Sequence, residues 1–311
     1  LSGLVGSEMC IRDRWKTIKK ASNLPVKATN VCVDLEVNKT NDFFTTVGPK
    51  IQEEVKLDDS EKFRTYLPHK TIDESNSSCK PHLSHFDEVS ETEVANYIKS
   101  IPANKATNDS TPVRIMKQIL PSIIEPLTHI INLSLSTGIM PDISKIAMVT
   151  PVHKGGDKTD PSNYRPISIL PILGKAIEFF VNNQLMQYLD DRGLISKHQY
   201  GFRKDHSTTF LMLDLFDEIY TSKSQQKRPA IVFLDIKKAF DTVSHNILIE
   251  KLKHYGLDGI ALNWFKSFLS DRMQKTKIGC KISQLNRIVC GVPQGSILGP
   301  ALFCIFINDL P

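Results

Sequence analysis

The second half of the chain constrains the fold most, because short runs of β-forming residues alternate there with stretches of helical periodicity. Residues 146–152 are rich in β-formers and lead into the turn Gly155-Gly156-Asp157, and residues 165–170 form another short apolar run. These two runs predict a hairpin. Residues 273–279 and 284–289 predict a second one.

Helical patterns fill most of the chain between the hairpins. Residues 230–234 (AIVFL) form a continuous apolar run that ends at Asp235, which predicts a buried strand with a carboxylate at its C-terminal end. Strands and helices mixed in this order indicate an α+β domain. Apolar residues recur at helical spacing in four stretches: 172–189, 207–220, 245–255 and 260–269.

The first half of the chain is more polar. Residues 1–14 read unlike the rest, and we interpret them as a non-native leader. Residues 15–130 are interpreted as an N-terminal extension, of which residues 15–110 read as loosely packed helices joined by linkers. Within it, residues 87–100 predict an amphipathic helix.

A further helical pattern crosses the boundary between the two halves. Pro112 suits the start of this helix, and Gly138 suits its C-cap. We expect Pro121 and Pro126 to interrupt it, because proline lacks the N–H that the helix interior requires.

Charge, cysteine usage and hydropathy exclude several classes of protein. The chain has 39 Lys and Arg against 34 Asp and Glu, an excess that suits a polyanion partner and equally suits a solvated basic surface. Six cysteines without CxxC spacing argue against a structural zinc site and favour reduced thiols in a nuclear or cytosolic protein. The longest apolar run, residues 297–307, is too short to cross a bilayer, so we expect no membrane partner.

The segment 233–241 (FLDIKKAFD) is the first candidate for chemistry. A carboxylate at the end of a buried strand is costly unless a charged group pairs with it, and Mg²⁺ favours such hard oxygen ligands. The alternative is an ordinary strand-end Asp235 that caps the following turn.

Two other segments strengthen the first interpretation. In 291–300 (GVPQGSILGP), two glycines around Pro-Gln predict a tight turn that a ligand can approach, and Ser296 suits the N-cap of a helix over 297–310. Lys154 and Arg165 fall on facing strands of the first predicted hairpin, where two cations could grip a triphosphate. Taken singly, these segments could be a capped buried helix and an exposed hairpin with solvated charges.

The segments together carry a family resemblance. In the order Lys154, NYRPIS (163–168), FLDIKKAFD, GVPQGSILGP and FINDLP (306–311), they resemble the reverse transcriptases of non-LTR retrotransposons, particularly the jockey-like families. The resemblance runs from about residue 131 to the end. It implies an α+β right-hand polymerase fold with fingers and a partial palm over 131–311, preceded by a mostly helical N-terminal extension.

The resemblance also implies roles for individual residues. Asp235 would be the first metal-binding aspartate of a two-metal site for phosphoryl transfer, with the carbonyl of Ile236 as a further ligand of Mg²⁺ or Mn²⁺. Phe240 would lie beneath the incoming sugar and exclude a 2′-hydroxyl. The triphosphate of the dNTP would be held by Lys154 and Arg165. Gln294 and Gly295 would contact the nucleotide beside an RNA template and a DNA primer.

The family's other two catalytic aspartates belong to a Tyr/Phe-x-Asp-Asp hairpin after the INDLP segment. Residues 188–191 (YLDD) fit that pattern but precede Asp235 and end a helical run, so we reject them as the catalytic motif. Because one carboxylate cannot hold two Mg²⁺ ions, we expect this polypeptide alone to be inactive or nearly so.

Two other functions remain open at this stage. A decayed element would leave a non-catalytic, RNA-binding remnant, and a group II intron maturase shares the palm. The phrases NYRPISIL and SILGPALFCIFINDLP are closer to the retrotransposon group. A nuclear or cytoplasmic ribonucleoprotein is the expected location.

Overall fold

A mixed five-stranded sheet carries several of the motif residues. The computed structural model describes residues 35–55, 82–109 and 111–310. Strands β1 (Ile146–His153) and β2 (Tyr164–Ile169) pair antiparallel, as predicted for the first hairpin. Strand β3 (Met273–Ile278) pairs antiparallel with β4 (Lys281–Ile282) and β5 (Asn286–Arg287), which confirms the second hairpin. A parallel pairing of β1 with β3 joins the two hairpins into one sheet.

A helix of the N-terminal extension packs on one face of this sheet. Helix α1 (Val37–Val55) buries Phe44 in a small core with Val149, Tyr164 and Ile278 from the strands. Asn41 fixes the helix to β3, because its side-chain oxygen accepts from Thr276 Oγ1 at 2.9 Å. The extension is therefore part of the same packed unit as the hairpins.

A larger core is built from helices. Helix α7 (Gly259–Leu269) lies at its centre, because Trp264, Phe265 and Phe268 are fully buried there. The Trp264 Nε1–H donates to Ser134 Oγ at 3.1 Å, so the polar edge of this ring is satisfied. The helices of this core are α2 (Glu91–Ser100), α3 (Val113–Thr137), α4 (Ile172–Asp191), α6 (His245–His254), α7 (Gly259–Leu269) and α8 (Leu298–Ile307).

Local sequence signals fix several helix ends. Helix α2 begins at Glu91, after a capping box between Ser90 and Glu93, so it starts four residues later than the predicted 87–100. Helix α3 ends at Gly138, whose φ of 70° gives the left-handed C-cap that was predicted. In the described part of the chain, no helix has the length and apolar character needed to span a bilayer.

The prediction that Pro121 and Pro126 interrupt this helix is wrong. Helix α3 runs through both prolines. Each proline removes a helical hydrogen bond, at a cost of about 3 kcal/mol in an isolated helix. Burial of Leu120, Ile131 and Leu135 against the main core offsets that cost, because tertiary packing overrides local propensity.

The predicted buried strand over 230–234 is also wrong. Residues 227–236 have no regular structure, and Phe233 and Leu234 are 85% and 87% exposed. A strand needs a hydrogen-bonded neighbour and cover for its apolar faces, and the described residues supply neither to this run. The preceding helix α5 (Thr208–Ser224) forms as predicted from Ser207, its N-cap, yet none of its side chains is buried.

Candidate functional site

The Pro-Gln-Gly turn, residues 291–296, lies directly against strand β2. The backbone N–H of Ser168 donates to the carbonyl of Gln294 at 2.7 Å. Gly295 has a φ of 124°, and a Cβ atom there would lie 2.5 Å from the carbonyl oxygen of Ser168. Any side chain at this position would push the turn away from the strand, so the tight turn predicted from the sequence requires glycine here.

The same turn is hydrogen-bonded to the end of the FLDIKKAFD segment. The Val292 N–H donates to the carbonyl of Phe240 at 2.8 Å. The Gln294 side chain reaches the same loop, because its Nε2 donates to Asp241 Oδ1 at 3.0 Å. Three of the predicted site residues, Phe240, Gln294 and Gly295, are thus brought together.

Packing fixes the ring of Phe240 on two sides. It stacks on Phe303 of helix α8 with a centroid separation of 5.0 Å and an interplanar angle of 18°. Phe202 approaches it edge-on at 6.1 Å. A ring held in this way can act as a rigid wall of a pocket.

Lys154 and Arg165 belong to the same hairpin, as predicted. Arg165 pairs with Val152 in the antiparallel register, and the Lys154 N–H donates to the Asn163 carbonyl at 2.9 Å, which extends the pairing by one residue pair. Both cations are exposed. Because Arg165 lies three residues before Ser168 on β2, the strand that carries it is the one that contacts the Pro-Gln-Gly turn.

A third cation, Lys238, lies close to Lys154. Burial lowers the pKa of Lys238, and the positive charge of Lys154 lowers it further, while Asp241 opposes the change. The Lys238 ammonium also lies 5.5 Å from the ring centroid of Phe43 in helix α1. Such a concentration of positive charge favours a polyanionic ligand.

No hydrogen bond or ion pair among the described residues joins Asp235 or Ile236 to this arrangement. Asp235 is exposed, and Ile236 is 45% exposed. The described residues contain no group of three or more His, Cys, Asp or Glu that could hold a metal ion. One carboxylate and one carbonyl are too few ligands for a two-metal site, so these residues do not form such a site by themselves.

A buried charged residue is hydrogen-bonded to the backbone that directly follows the turn. Glu178 of helix α4 is fully buried, and its Oε2 accepts from the backbone N–H groups of Ile297 at 2.7 Å and Leu298 at 3.2 Å. Burial raises the pKa of this carboxyl group, and the charge of Arg272 opposes the rise. Arg272 is itself fully buried and donates to the Phe268 carbonyl at 3.0 Å. Glu178 therefore fixes the start of helix α8, directly after the turn.

Two further contacts complete the support. Burial lowers the pKa of His245, which favours the neutral ring. Because a carbonyl oxygen only accepts, Nε2 carries the ring proton and donates to the Gly291 carbonyl 2.8 Å away. Ser296 Oγ accepts from the Gly299 N–H at 2.8 Å, although the N-cap residue of the helix is Ile297 and not Ser296 as predicted. Both ends of the turn are therefore fixed, although helix α8 is shorter than the predicted 297–310.

Sequence reasoning missed Asp241, Lys238 and Glu178 as residues of this site. The first two stand in the FLDIKKAFD segment, and the second carboxylate of that segment was a usable signal. Glu178 lies within an apolar helical pattern, where a single charged residue among buried positions indicates a paired or capping role.

The remaining motif residues have structural contacts. Asn308 Nδ2 donates to the Leu194 carbonyl at 2.8 Å, and Asp309 forms an ion pair with the buried Lys251. Asp190 of the rejected YLDD tetrapeptide lies at the end of helix α4 and pairs with Arg203 at 2.9 Å. Its helical position agrees with its rejection as a catalytic hairpin.

Comparison with known proteins identifies the family. Residues 152–311 match the family model described as reverse transcriptase (RNA-dependent DNA polymerase), and this match covers half of the chain. The chain belongs to the reverse transcriptase family. The family assignment agrees with the mixed α+β fold, in which helices precede the reverse transcriptase residues.

Several relatives of this chain are proteins of non-LTR retrotransposons. The RNA-directed DNA polymerase from mobile element jockey of Drosophila melanogaster is 34% identical over 221 residues, which cover 70% of this chain and 24% of that protein. The probable RNA-directed DNA polymerases from transposons X-element and BS of the same species are 31% and 34% identical. The chain thus spans about a quarter of the length of these relatives, since the matched residues cover 24% of each.

Proposed function

We propose that this chain provides the nucleotide-binding part of an RNA-directed DNA polymerase, which adds deoxynucleotides to a DNA primer on an RNA template. The observation that carries the proposal is the contact between the Pro-Gln-Gly turn, the Phe240 loop and strand β2. Gln294, Gly295 and Phe240 meet there, on the strand that bears Arg165. Motifs more than a hundred residues apart in sequence converge on one place.

The exposed cations suit the phosphates of the incoming nucleotide. Arg165 offers a planar fork of N–H donors that can bind two phosphate oxygens at once, and Lys154 acts as a mobile point charge. Lys238 adds positive charge beside Lys154. Together they would neutralise the triphosphate and the charge that develops as pyrophosphate leaves.

Phe240 is proposed to select the sugar. Its ring is held by Phe303 and Phe202 and cannot easily turn aside. A 2′-hydroxyl placed against such a ring meets a steric clash, so deoxynucleotides are favoured.

Magnesium, with manganese as a substitute, is the proposed cofactor, because the family resemblance implies a divalent cation. Asp235 would supply a carboxylate and Ile236 a carbonyl oxygen to it. Further carboxylates are needed beyond those that the described residues bring together.

Primer extension tests the proposal. The protein used should include this chain and continue through a Tyr/Phe-x-Asp-Asp hairpin, with an RNA template, a DNA primer, dNTPs and Mg²⁺. We expect extension by the wild type and a loss of at least about a thousandfold in Asp235→Ala, because a metal ligand is removed. Asp271→Asn serves as the control, since Asp271 is 70% exposed and pairs only with the surface residue Arg287 among the described partners.

The outcomes separate the assignments. Extension that survives Asp235→Ala would show that Asp235 is not a metal ligand. Extension that fails in the wild type, while the protein still binds RNA with affinity that falls as salt rises, would favour the alternative of a non-catalytic RNA-binding remnant. The exposed position of Asp235 supports this alternative, because the described residues place it in no group of three or more His, Cys, Asp or Glu that could hold a metal ion.

We also propose that the protein works in a ribonucleoprotein of the nucleus or cytoplasm. RNA template and DNA primer are its proposed partners. Buried free thiols at Cys290 and Cys304 agree with a reducing compartment.

A further inference from the structure

The orientation of the Gln294 amide decides what this side chain offers to a nucleotide. A glutamine amide carries an oxygen that only accepts and an NH₂ group that only donates. Rotation of the amide by half a turn exchanges the two groups, with little change of shape. A neighbouring group that can only accept a hydrogen bond therefore binds the NH₂ group and leaves the amide oxygen available.

Asp241 makes such a contact. Its Oδ1 accepts from Gln294 Nε2 at 3.0 Å, and an ionised carboxylate can accept but cannot donate. The flipped amide would bring two acceptor oxygens together, which is unfavourable. Asp241 thus holds the NH₂ group of Gln294 and leaves the amide oxygen and the second N–H for another partner.

Asp241 is itself held in place by its neighbours. Its backbone N–H donates to the Lys238 carbonyl at 2.8 Å, within a tight turn. Its own carbonyl lies 3.4 Å from Cys290 Sγ, which donates to it. Burial raises the pKa of the Asp241 carboxyl group, while the Gln294 hydrogen bond and the Lys238 charge oppose the rise and favour the carboxylate form.

Helix α1 braces the same loop from the N-terminal extension. Gly48 lies so close that a Cβ atom there would be 2.1 Å from the Asp241 carbonyl oxygen. Gln52 Nε2 donates to the Thr242 carbonyl at 3.0 Å. The matched family region begins at residue 152, so this helix lies outside it and yet contacts the site.

We propose that Asp241 is a positioning residue, which fixes the Gln294 amide so that its oxygen is the acceptor presented to the incoming nucleotide. Helix α1 holds the Asp241 loop at the distance this contact needs. The inference rests on the proposed function, since it assigns a role within the same nucleotide site. Asp241 acts through Gln294 and does not itself touch the substrate.

The contact can be tested on this chain alone, without polymerase activity. The side-chain amide of Gln294 is observed by ¹⁵N–¹H NMR and assigned by its loss in Gln294→Ala. In the wild type we expect exchange of this amide with solvent to be at least about tenfold slower than for exposed glutamines, because one N–H is hydrogen-bonded. Asp241→Ala should remove the protection, and Asp271→Asn should not.

The role is tested by steady-state kinetics in the extended protein that includes the catalytic hairpin. Asp241→Asn keeps the shape but can donate as well as accept, so the Gln294 amide can adopt both orientations. We expect KM for the dNTP to rise about tenfold, with kcat within about twofold, because ground-state nucleotide binding is what the amide supports. Gln294→Ala should raise KM at least as much, and adding Asp241→Asn to it should have little further effect.

Each outcome decides the proposal. Unchanged protection of the Gln294 amide in folded Asp241→Ala would show that the contact is absent, and would overturn the inference. A changed amide signal with an unchanged KM would overturn the positioning role while leaving the contact intact. Absence of nucleotide incorporation by the wild type would remove the proposed function, and the nucleotide role of Asp241 with it, whatever the NMR result.

Discussion

At the scale of single residues, buried charge beneath the Pro-Gln-Gly turn is where substitution should have the largest effect. Glu178 accepts two backbone hydrogen bonds and is the carboxylate whose charge acts on the buried Arg272. Removal of one partner of a buried pair leaves the other charge without compensation.

We therefore expect Glu178→Gln to lower the free energy of unfolding by about 3 kcal/mol, because Arg272 loses its counter-charge. Urea denaturation followed by circular dichroism measures this change. Glu125→Gln is the matched control, since Glu125 is exposed on helix α3 and should change stability by less than about 0.5 kcal/mol. Equal stability of the two variants would contradict the supporting role of Glu178.

Thiol reactivity offers a second test at this scale. Burial raises the pKa of Cys290 to about 11, with the charge of Asp241 adding to the rise, and burial raises the pKa of Cys304 to about 11. At pH 8 roughly one such thiol in a thousand is then the reactive thiolate. We expect iodoacetamide to modify the exposed Cys280 of the folded chain and to spare Cys290 and Cys304, as measured by peptide mass spectrometry.

The same reasoning gives the direction of the pH effect. Because the thiolate is the nucleophile, modification of Cys290 and Cys304 should increase as pH rises toward 11, provided that the fold persists. Denaturation in urea should make all cysteines reactive at pH 8. Rapid labelling of Cys290 in the folded chain at pH 8 would show that the loop around Asp241 is open.

At the scale of elements, helix α1 can be tested through its close contact at Gly48. Alanine normally stabilises a helix interior relative to glycine by about 1 kcal/mol. Here the added Cβ would lie 2.1 Å from the Asp241 carbonyl oxygen and 2.7 Å from Cys290 Sγ. We expect Gly48→Ala to destabilise the chain by about 1–3 kcal/mol, since neither helix nor loop can accommodate the overlap.

Thermal or urea unfolding measures that change. Thr46→Ala provides the control, because Thr46 is exposed on the same helix and should be neutral or slightly stabilising. A stabilised Gly48→Ala variant would mean that helix α1 does not lie against the Asp241 loop.

Much of the arrangement of elements could be predicted from the sequence, and particular residues show why. Short runs of β-forming residues located both hairpins, and Ser207 and Gly138 marked helix ends, because these are local signals. Local signals did not predict that helix α3 continues through Pro121, nor that the run 230–234 is exposed. Their structures depend on which distant surfaces cover them, and local patterns do not report that.

The residues of the candidate site were largely predictable from the sequence, whereas the contacts between distant segments were not. Motif order brought out Lys154, Arg165, Phe240, Gln294 and Gly295, and the pairing of Arg165 with Val152 follows from the predicted hairpin. The bond from Gln294 to Asp241 joins residues 53 positions apart. No periodicity encodes such a pairing, so it required the structure.

At the scale of the whole molecule, one helix and the segment after it leave large apolar side chains exposed. Helix α5 exposes a row of large apolar residues, with Leu213 and Phe216 at 59% and 48%, and the run 231–236 follows it. Exposed apolar surface of this extent promotes association. Phe268, by contrast, is completely buried in helix α7.

We expect Leu213→Gln and Phe216→Gln to change the free energy of unfolding by less than about 0.5 kcal/mol and to reduce self-association of the chain. Urea unfolding and analytical ultracentrifugation measure the two effects. Phe268→Gln is the contrasting variant and should cost at least about 3 kcal/mol. A loss of more than about 2 kcal/mol on substituting Leu213 or Phe216 would show that these side chains are covered in the folded chain.

The position of helix α1 also has a consequence for synthesis on the ribosome. Its Asn41 is hydrogen-bonded to residues of β3 that lie 233 and 235 positions later in the chain. At about 5–20 residues per second, the helix must wait roughly 10–50 s after translation before those partners exist. Until β3 has been made, Phe44 can pack only against the earlier members of its core, Val149 and Tyr164, so we expect a nascent chain of this protein to be a client for chaperones that bind exposed aromatic residues.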